Sequence, residues 1–415
     1  MLSLSAALFL TTAAGFASPL TAQIPPVLLT GKTELQQGDI LSLRLLGVPE
    51  YVKPVAETAL GLSIFVPVRN GEWFAAVPIS NAREPGDYTV SVKAGEASYT
   101  VDVKVLAFHF DRQNLTINTA SPAIEEATSP EAYRQFDEKI LPLYDICDET
   151  CYWRGIFEHP VNGRITTNFG EIRTTNGDPS SATAHRGMDI AAPLGTPVLA
   201  PNAGRVVFAE MLLNTGNTIF IEHGGGMKSV YYHLNRIDVS AGDMVKKGTQ
   251  IGTVGSTGYS TGPHLHYDIR IGDQSVSPQM LFEPDAGLYS AAAKKPEIRI
   301  FVNNKILDSP QPAFIKNDRM LAPMRAVFEA LGASVNWDDN TKTVEARRNS
   351  LTIRLTVGSK AARRWDEYGA SDITLDTEPE IVEGSVFIPL RFAAESLGAN
   401  ATWDDETRTV SVTGS

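Results

Sequence analysis

Residues 261–268 read TGPHLHYD and place two of the seven histidines of this 415-residue chain at alternate positions. Side chains on a β-strand alternate between its two faces, so His264 and His266 are predicted to share one face. Two imidazoles on one face are unfavourable to bury without partners, which makes metal binding or proton transfer a natural use for them. The spacing does not decide which histidine would bind a metal, and a pair of solvent-exposed strand histidines is the alternative interpretation.

Two further stretches carry matching side chains. Residues 183–190, TAHRGMDI, place His185 and Asp189 four positions apart. The intervening glycine and a nearby proline argue against a helix, so an extended segment would carry both on one face. Residues 231–234, YYHL, add His233 in an apolar strand, where a lone histidine is more often structural. Together these positions fit a catalytic zinc site with three protein ligands, an open position for water and further imidazoles for acid–base work.

Several stretches of one glycine-rich region carry a resemblance to a known family. They are GRITTNFG (residues 163–170), HRGMDIAAPLGTPVLAPNAGRVVFA (185–209) and GNTIFIEHGGGMKSVYYHLNRIDVSAGDMVKKGTQIGTVGSTGYSTGPHLHYDIR (216–270). The motifs H-x3-D, Y-x-H-L and G-P-H-L-H follow one another in order. This combination resembles the lysostaphin/LytM family of zinc metallo-endopeptidases over roughly residues 156–283.

The resemblance implies a fold, a cofactor and a set of site residues. The implied fold is an antiparallel β-sheet domain of the duplicated hybrid motif type, and the implied cofactor is Zn²⁺. The family's zinc ligands correspond to His185, Asp189 and His266, and its acid–base pair to His233 and His264. Family substrates are the stem peptides or cross-bridges of peptidoglycan. The remaining histidines lie outside these motifs and are expected to be structural or exposed.

The region ahead of these motifs divides into two parts. Residues 24–106 show short alternating runs such as LSLRL and TVDVKV, with turn signals that include the hairpin pair Asn70–Gly71. This pattern predicts a β-sandwich and resembles the immunoglobulin-like domains often placed ahead of bacterial wall enzymes. Residues 107–155 carry good helix formers after Ser129 and are predicted to be a helical connector.

The region that follows contains a linker and an internal repeat. Residues 284–296 are predicted to be a linker. Residues 321–344 align with residues 387–410, each copy having a short helix, a glycine stop, a strand and the sequence Trp-Asp-Asp. Residues 297–413 are therefore predicted to form one α+β domain, which resembles the copper-amine-oxidase N-terminal-like domain. The repeat contains no histidine, so no copper or quinone cofactor is expected, and wall attachment or partner binding is its expected role.

Composition and the chain start bear on location. Residues 1–22 carry no charge and resemble a signal peptide, with an uncleaved membrane anchor as the alternative. Export to the cell wall, periplasm or extracellular space is therefore expected. The net charge of −12 argues against a nucleic-acid partner. Cys147 and Cys151, spaced C-x3-C, are interpreted most simply as a local disulfide in an exported protein.

The sequence thus predicts a mainly β multidomain protein: a β-sandwich, an antiparallel metallopeptidase domain and a small α+β repeat domain. Its predicted function is zinc-dependent hydrolysis of peptide bonds in peptidoglycan, with the flanking domains contacting the cell wall or other proteins. The alternative is a non-catalytic or latent wall-binding or regulatory protein that uses the same groove. In that hypothesis residues 107–155 would block the groove.

Overall fold

The computed structural model describes residues 25–69, 71–283, 287–289, 296–309, 311–405 and 407–414. The predicted signal segment and the turn residue Asn70 lie outside these residues. The chain divides into two compact units, Pro25–Pro296 and a second that begins at Glu297. Within the described ranges, no helix combines the length and apolar character needed to span a membrane.

The β-sandwich predicted for residues 24–106 is present. Its strands are β1 (Val27–Thr30), β2 (Glu34–Gln36), β3 (Ile40–Leu46), β4 (Val55–Thr58), β5 (Val66–Arg69), β6 (Glu72–Pro78), β7 (Gly86–Ala94) and β8 (Ala97–Leu106). They form two four-stranded sheets in the orders β1-β3-β6-β5 and β2-β8-β7-β4. Leu41, Leu43 and Leu45 of β3 are fully buried in the core between the sheets.

The outer face of one of these sheets is also buried. Ile40 of β3 and Phe74 of β6 belong to the same apolar core as the histidine-bearing domain that follows. Phe74 meets the ring of Trp153 edge-on, with 5.6 Å between ring centroids. The sandwich and the histidine-bearing domain therefore share a core, which explains why both fall within one compact unit.

The segment predicted as a helical connector, residues 107–155, is only partly helical. It contains β9 (Arg112–Leu115), α1 (Pro122–Ala127), α2 (Pro130–Lys139) and a 3-10 turn (Leu141–Asp145). The helix start at Ser129 is confirmed, because its Oγ accepts a hydrogen bond from the Ala132 N–H at 3.2 Å. The strand was missed, since its sequence Arg-Gln-Asn-Leu has no apolar alternation. It forms by parallel pairing with β11 (Ile172–Thr175).

The histidine-bearing domain is built on one large antiparallel sheet. Besides β11, its strands are β10 (Arg164–Thr167), β12 (Asp178–Ala184), β13 (Met188–Ala191), β14 (Pro197–Leu199), β15 (Gly204–Leu212), β16 (Gly216–Gly224), β17 (Met227–Leu234), β18 (Arg236–Ile237), β19 (Met244–Val245), β20 (Gln250–Thr253), β21 (His264–Ile271) and β22 (Gln274–Val276). The large sheet has the order β10-β13-β21-β17-β16-β15-β19, and β22 pairs with β21. Two smaller sheets, β12-β11-β9 and β14-β20-β18, flank it.

The central strand β21 has two chemically different faces. Leu265, Tyr267, Ile269 and Ile271 are fully buried in the apolar core on one face. The alternate residues on the other face, which are His264, His266, Asp268 and Arg270, line a groove. The predicted alternation of the HLHYD stretch is therefore confirmed.

The end of this unit departs from the linker prediction. Beyond a 3-10 turn (Pro278–Leu281), a second one (Gly287–Tyr289) packs into the domain core. The Tyr289 hydroxyl oxygen accepts a hydrogen bond from the Phe157 N–H at 3.0 Å. Part of residues 284–296 is therefore core, and residues 284–286 and 290–295 lie outside the described residues.

The second unit has the predicted repeat architecture. Its strands are β23 (Arg299–Val302), β24 (Lys305–Ile306), β25 (Phe314–Lys316), β26 (Arg319–Pro323), β27 (Ser334–Asp338), β28 (Thr343–Arg348), β29 (Leu351–Thr356), β30 (Ala361–Asp366), β31 (Gly369–Thr374), β32 (Glu380–Val382), β33 (Ser385–Pro389), β34 (Ala399–Asp404) and β35 (Thr409–Gly414). Its helices are α3 (Met324–Ala330) and α4 (Leu390–Ser396). Among the described residues the sheets have the orders β24-β23-β35-β34, β25-β26-β33-β32 and β27-β28-β29-β30-β31.

The two repeat copies pack against each other as one domain. β26 of the first copy pairs with β33 of the second, and α3 and α4 share one core. Both predicted glycine stops are confirmed, since Gly332 and Gly398 follow the helices with φ of 81° and 76°. In each copy the tryptophan indole N–H donates a hydrogen bond of 3.3 Å to the aspartate two residues further along the chain. Both tryptophans therefore anchor the turn that follows them.

The predicted disulfide is wrong for this structure, in which Cys147 and Cys151 are separate thiols. The Cys151 thiol is buried and contacts the Trp153 carbonyl oxygen at 3.6 Å. Cys147 is only half-buried. The spacing of the two cysteines along the chain could not show that the Cys151 side chain packs in the apolar core.

A buried ion pair ties the connector to the large sheet. Glu222 and Lys228 are cross-strand partners on β16 and β17, both fully buried, with their charged atoms 3.2 Å apart. The Lys228 ammonium donates to the Ile146 carbonyl oxygen, and Glu222 accepts from the Asp148 N–H at 3.3 Å. Burial raises the pKa of the Glu222 carboxyl, and the nearby ammonium opposes this shift.

Removing one charge of this pair should be strongly destabilising. Lys228→Met leaves Glu222 buried without its counter-charge, and we expect a loss of about 3–5 kcal/mol in the free energy of unfolding. The double variant Glu222→Gln/Lys228→Met keeps an oxygen for the backbone N–H groups and should lose less. Urea unfolding of the wild type, Lys228→Met and the double variant measures these free energies. A double variant that is less stable than Lys228→Met would contradict the explanation.

Candidate metal centre and groove

Three predicted ligands meet at the pairing of β13 and β21 in the large sheet. Asp189 on β13 and His266 on β21 are directly opposed partners in the antiparallel register. His185 lies in the extended segment just before β13 and reaches the same point. All three residues are buried, with exposed fractions of 6%, 8% and 6% for Asp189, His266 and His185.

The three ligand atoms form a nearly regular triangle. His185 Nε2 lies 2.9 Å from His266 Nδ1 and 3.1 Å from Asp189 Oδ1. His266 Nδ1 lies 3.0 Å from the same carboxylate oxygen. A tetrahedral zinc ion with bonds of about 2.0–2.1 Å places its ligand atoms about 3.3 Å apart. Two imidazoles and one carboxylate at this separation therefore fit zinc in both donor type and spacing.

The orientation of His185 is set by a clamped loop. Its Nδ1–H donates to the Asn168 carbonyl oxygen at 3.1 Å, which leaves the Nε2 lone pair directed at the triangle. The Glu171 carboxylate accepts from the Asn168 N–H at 2.7 Å, and the His185 N–H donates to the Glu171 carbonyl oxygen at 2.9 Å. The ligand is therefore presented in the tautomer that a metal requires.

The protonation states also suit a metal. Burial disfavours the charged form of Asp189, yet the two imidazoles beside it, His185 and His266, hold the pKa of this carboxyl well below its usual range. Burial lowers the pKa of His266, against the opposing effect of Asp189. At neutral pH the centre therefore contains an ionised Asp189 and a neutral His266, which are the forms that bind zinc.

Gly187, between the two ligands of the HRGMD stretch, is required by close packing. A Cβ at this position would lie 2.5 Å from the Tyr267 carbonyl oxygen and 2.9 Å from His266 Nε2. Any larger residue would push the β13 and β21 backbones apart and displace a ligand. This glycine is therefore a local sequence signal for the centre as well as a helix breaker.

His264 and His233 lie beside the triangle without being part of it. His264 Nδ1–H donates to the Gly262 carbonyl oxygen at 2.8 Å, and its Nε2 lies 3.8 Å from Asp189 Oδ1. His233 Nδ1–H donates to the Thr257 carbonyl oxygen at 2.8 Å. The two rings are 4.9 Å apart between centroids. Both histidines therefore keep their Nε2 lone pairs for the groove.

His233 reaches the groove because of an irregular backbone. It has a φ of 63°, which only a few per cent of non-glycine residues adopt, and its N–H bonds to the Thr215 carbonyl oxygen at 2.9 Å. Tyr232 already faces the groove, where its ring stacks on His266 at 5.1 Å. The twist at His233 brings two consecutive residues to the same face, while Tyr231 is buried on the other face. Burial and the neighbouring His264 lower the pKa of His233 to about 3.

The five predicted site residues line one groove with a volume of about 810 Å³. One wall comes from the β11–β12 hairpin and another from the loop at residues 259–263. The connector supplies further lining residues, which are Gln113, Leu115, Ile117, Tyr133, Phe136 and Tyr144. The connector is therefore part of the groove, a contribution that the sequence motifs did not indicate.

Two groove residues that the sequence analysis missed contact the centre or its supports. Arg173 on β11 forms an ion pair with the second carboxylate oxygen of Asp189. Gln113 on β9 accepts hydrogen bonds from Arg173 and Thr167, each at 3.3 Å. Neither residue belongs to a histidine motif, and the only signal for Arg173 is its position shortly after the NFG turn.

The other histidines are structural or peripheral, as expected. His223 is fully buried and uses both ring nitrogens, towards the Ala203 carbonyl oxygen and the Ser229 hydroxyl, each at 2.8 Å. His159 packs against the Phe282 ring at 4.0 Å between centroids. His109 is exposed on the connector. None of these three lines the groove.

Comparison with known families identifies two segments of the chain. Residues 183–278 match the family model of Peptidase family M23, and residues 301–412 match that of the Copper amine oxidase N-terminal domain. The first segment contains all five site residues. The two resemblances stated from the motifs are therefore confirmed for these segments.

Relatives with similar sequences include named peptidases. The DD-carboxypeptidase/endopeptidase Mpg of Neisseria meningitidis is 44% identical over 107 residues, which are 26% of this chain and 25% of the relative. The peptidoglycan DD-endopeptidase ShyA of Vibrio cholerae is 34% identical over 157 residues, 37% of this chain and 36% of the relative. The chain thus spans between a quarter and about a third of the length of these curated relatives.

A solved structure is similar over a larger share. The putative peptidase M23 from Pseudomonas aeruginosa shows 26% sequence identity and a TM-score of 0.44, covering 58% of this chain and 92% of that one.

Zinc binding should separate the five site residues into two groups. His185→Ala, Asp189→Ala and His266→Ala each remove a ligand atom from the triangle, so we expect loss of stoichiometric zinc. His264→Ala and His233→Ala leave the triangle intact and should retain the metal. Elemental analysis after dialysis measures the bound zinc. Zinc loss in His264→Ala would indicate that His264, and not His266, is the ligand of the HLH pair.

Zinc affinity should be insensitive to pH until the solution is distinctly acidic. Zinc competes with protons for His266, and a lowered pKa means that this imidazole stays neutral below the ordinary value of about 6.5. The Asp189 carboxyl stays ionised to still lower pH. Competition with a chelator from pH 5 to pH 8 should show constant affinity at the upper end. A tenfold fall between pH 8 and pH 7 would contradict these pKa directions.

Proposed function

We propose that this chain, which carries a Peptidase family M23 domain over residues 183–278, is a zinc-dependent endopeptidase that hydrolyses peptide bonds of bacterial peptidoglycan. One observation carries the proposal: a zinc-fitting His185–Asp189–His266 triangle lies in a groove with two further imidazoles on the same face. A purely structural zinc site would be closed by a fourth protein ligand, whereas this one has three ligands and an adjoining groove.

Zinc bound by the triangle would supply an acidified water and polarise the scissile carbonyl. The chain's own residues then handle protons. His264 Nε2 faces the triangle and can accept a proton from the attacking water, because its Nδ1–H is held by the Gly262 carbonyl oxygen. The side chain of His264 is 17% exposed, so it can exchange that proton with the leaving amine or with solvent.

His233 is the second member of the acid–base pair. Burial and the neighbouring imidazoles hold its pKa at about 3, so the ring is neutral at any ordinary working pH. Its Nε2 therefore offers a lone pair to the water or to the leaving N–H, on the side of the groove next to His264. The left-handed backbone at His233 stores strain at this position, which is common at functional sites.

The substrate assignment is supported by the names of relatives and by the groove. Similar proteins are named peptidoglycan DD-endopeptidases. The groove has room for several residues of an extended peptide, at about 810 Å³. Such a substrate lies outside the cytoplasm, which agrees with the expected export signal in residues 1–22. The domain at residues 301–412 would then contact the wall or a partner.

A second candidate function rests on the connector. Six connector residues line the groove, so the chain could be a latent or purely binding form in which this segment controls access. The same experiment separates the two candidates.

Digestion of purified peptidoglycan tests the proposal. The protein loaded with zinc should release fragments with new amino termini, identified by mass spectrometry, which also name the bond. His264→Ala should bind zinc and cleave about 10²–10⁴-fold more slowly, the usual contribution of a general acid–base group. His109→Ala, an exposed histidine outside the groove, is the matched control and should cleave normally.

The outcomes distinguish the candidates. Release by the wild type and the His109→Ala control, lost in His264→Ala, supports the endopeptidase. Stoichiometric zinc without release by any of the three proteins would sink the endopeptidase proposal and favour the latent or binding form.

A further inference from the structure

Asp189 is held from two sides. Its Oδ1 faces the two ligand histidines at 3.0–3.1 Å, whereas its Oδ2 faces the guanidinium of Arg173. The Asp189 side chain is 9% exposed, so it has almost no contact with solvent that could take the place of either partner. The division of its two oxygens therefore sets the direction in which the Oδ1 lone pairs point.

Arg173 is itself held by the connector. Gln113 on β9 and Arg173 on β11 are directly opposed partners in the parallel register. The Gln113 side-chain oxygen accepts a hydrogen bond from Arg173 Nε at 3.3 Å. It also accepts one from the Thr167 hydroxyl at 3.3 Å, and Thr167 is the register partner of Asp189 on β10. One amide oxygen thus joins β10 and β11 through Thr167 and Arg173, which both adjoin Asp189.

Further contacts hold this strand in place. Asn114 accepts from the Gly177 N–H at 2.7 Å, and Asn176 exchanges two hydrogen bonds with the backbone of Ile117, at 2.8 and 2.9 Å. Together with the backbone pairing of β9 and β11, these bonds fix β9 and the residues just after it against the β11–β12 hairpin. Backbone pairing and neighbouring side chains therefore hold Gln113 next to Arg173.

We propose that Arg173 is a positioning residue for the metal ligand Asp189, and that Gln113 of the connector holds Arg173 in that position. The inference rests on the proposed zinc site. Partners that orient a ligating carboxylate typically change metal affinity by about 10–100-fold when removed. A guanidinium offers several donors in a fixed plane, which suits it to hold one carboxylate oxygen while another donor reaches Gln113. The connector thereby supports the metal centre through Gln113.

Zinc affinity of the full-length chain tests this role directly. Arg173→Met removes the donors while keeping an unbranched side chain, and we expect zinc to bind about 10–100-fold more weakly in competition with a chelator. Arg173→Lys keeps the charge as a single point and should recover part of the loss. Gln113→Met should weaken binding less than Arg173→Met, and Gln113→Glu, which keeps the acceptor oxygen, should lie close to the wild type.

Arg112→Ala is the matched control, because Arg112 is an exposed neighbour on the same strand. It should leave zinc affinity unchanged. Thermal unfolding of each metal-free protein shows whether a variant has lost its fold. If Arg173→Met does not fold, the comparison of Gln113→Met with Gln113→Glu carries the test.

Kinetics with peptidoglycan peptides separate this proposal from the proposed function. At saturating zinc, Arg173→Met should lower kcat with little change in KM, because Asp189 and not the peptide is misplaced. Zinc affinity that is equal or tighter in Arg173→Met overturns the positioning role, since Arg173 would then act as a competing cation. A wild type that cleaves nothing, combined with the expected order of zinc affinities, would overturn the proposed function and leave the positioning role supported.

Discussion

The structure depends most on the burial of one carboxylate. Asp189 is almost completely removed from solvent, where an isolated charge would be very unfavourable, and two imidazoles and one guanidinium surround it. The antiparallel register of β13 and β21 places it opposite His266, and the clamped loop at Asn168 aims His185 at the same point. Each of these supports keeps the carboxylate charged and directed, which is the condition for a metal at the centre.

The groove face of the large sheet combines regular and irregular backbone. Strict alternation along β21 separates the apolar core from the row of polar side chains that begins with His264 and His266. On β17 the same regularity would have pointed His233 into the core beside Tyr231. The left-handed conformation at His233 breaks it, so that the ring lies 4.9 Å from His264. Regular strands therefore hold Asp189 and His266, the proposed ligands, and a strained position holds His233, the second imidazole proposed for acid–base work.

The connector follows the sandwich in the chain, packs on the large sheet and reaches the metal centre. Its 3-10 turn buries Leu143 and Tyr144 against Phe220 and Val230 on the sheet, and its end is held by the buried Glu222–Lys228 pair. Its strand β9 completes the groove wall and meets Arg173. Detaching this segment would expose apolar surface and two buried charges, so its packing against the sheet is strongly favoured.

Local chemistry was sufficient to predict much of this protein from its sequence. The alternation of HLHYD, the helix start at Ser129, the repeat with its glycine stops and the order of the histidine motifs each depend on neighbouring residues, and each is present in the structure. The four-residue strand β9, the thiol state of Cys147 and Cys151, the face of His233 and the Gln113–Arg173–Asp189 contacts were decided only by the tertiary structure. These features depend on residues that are far apart in the chain, or on burial that propensity does not encode. The sequence alone therefore determined which side chains could form a zinc site, and the packing of the connector and strands decided how that site is held.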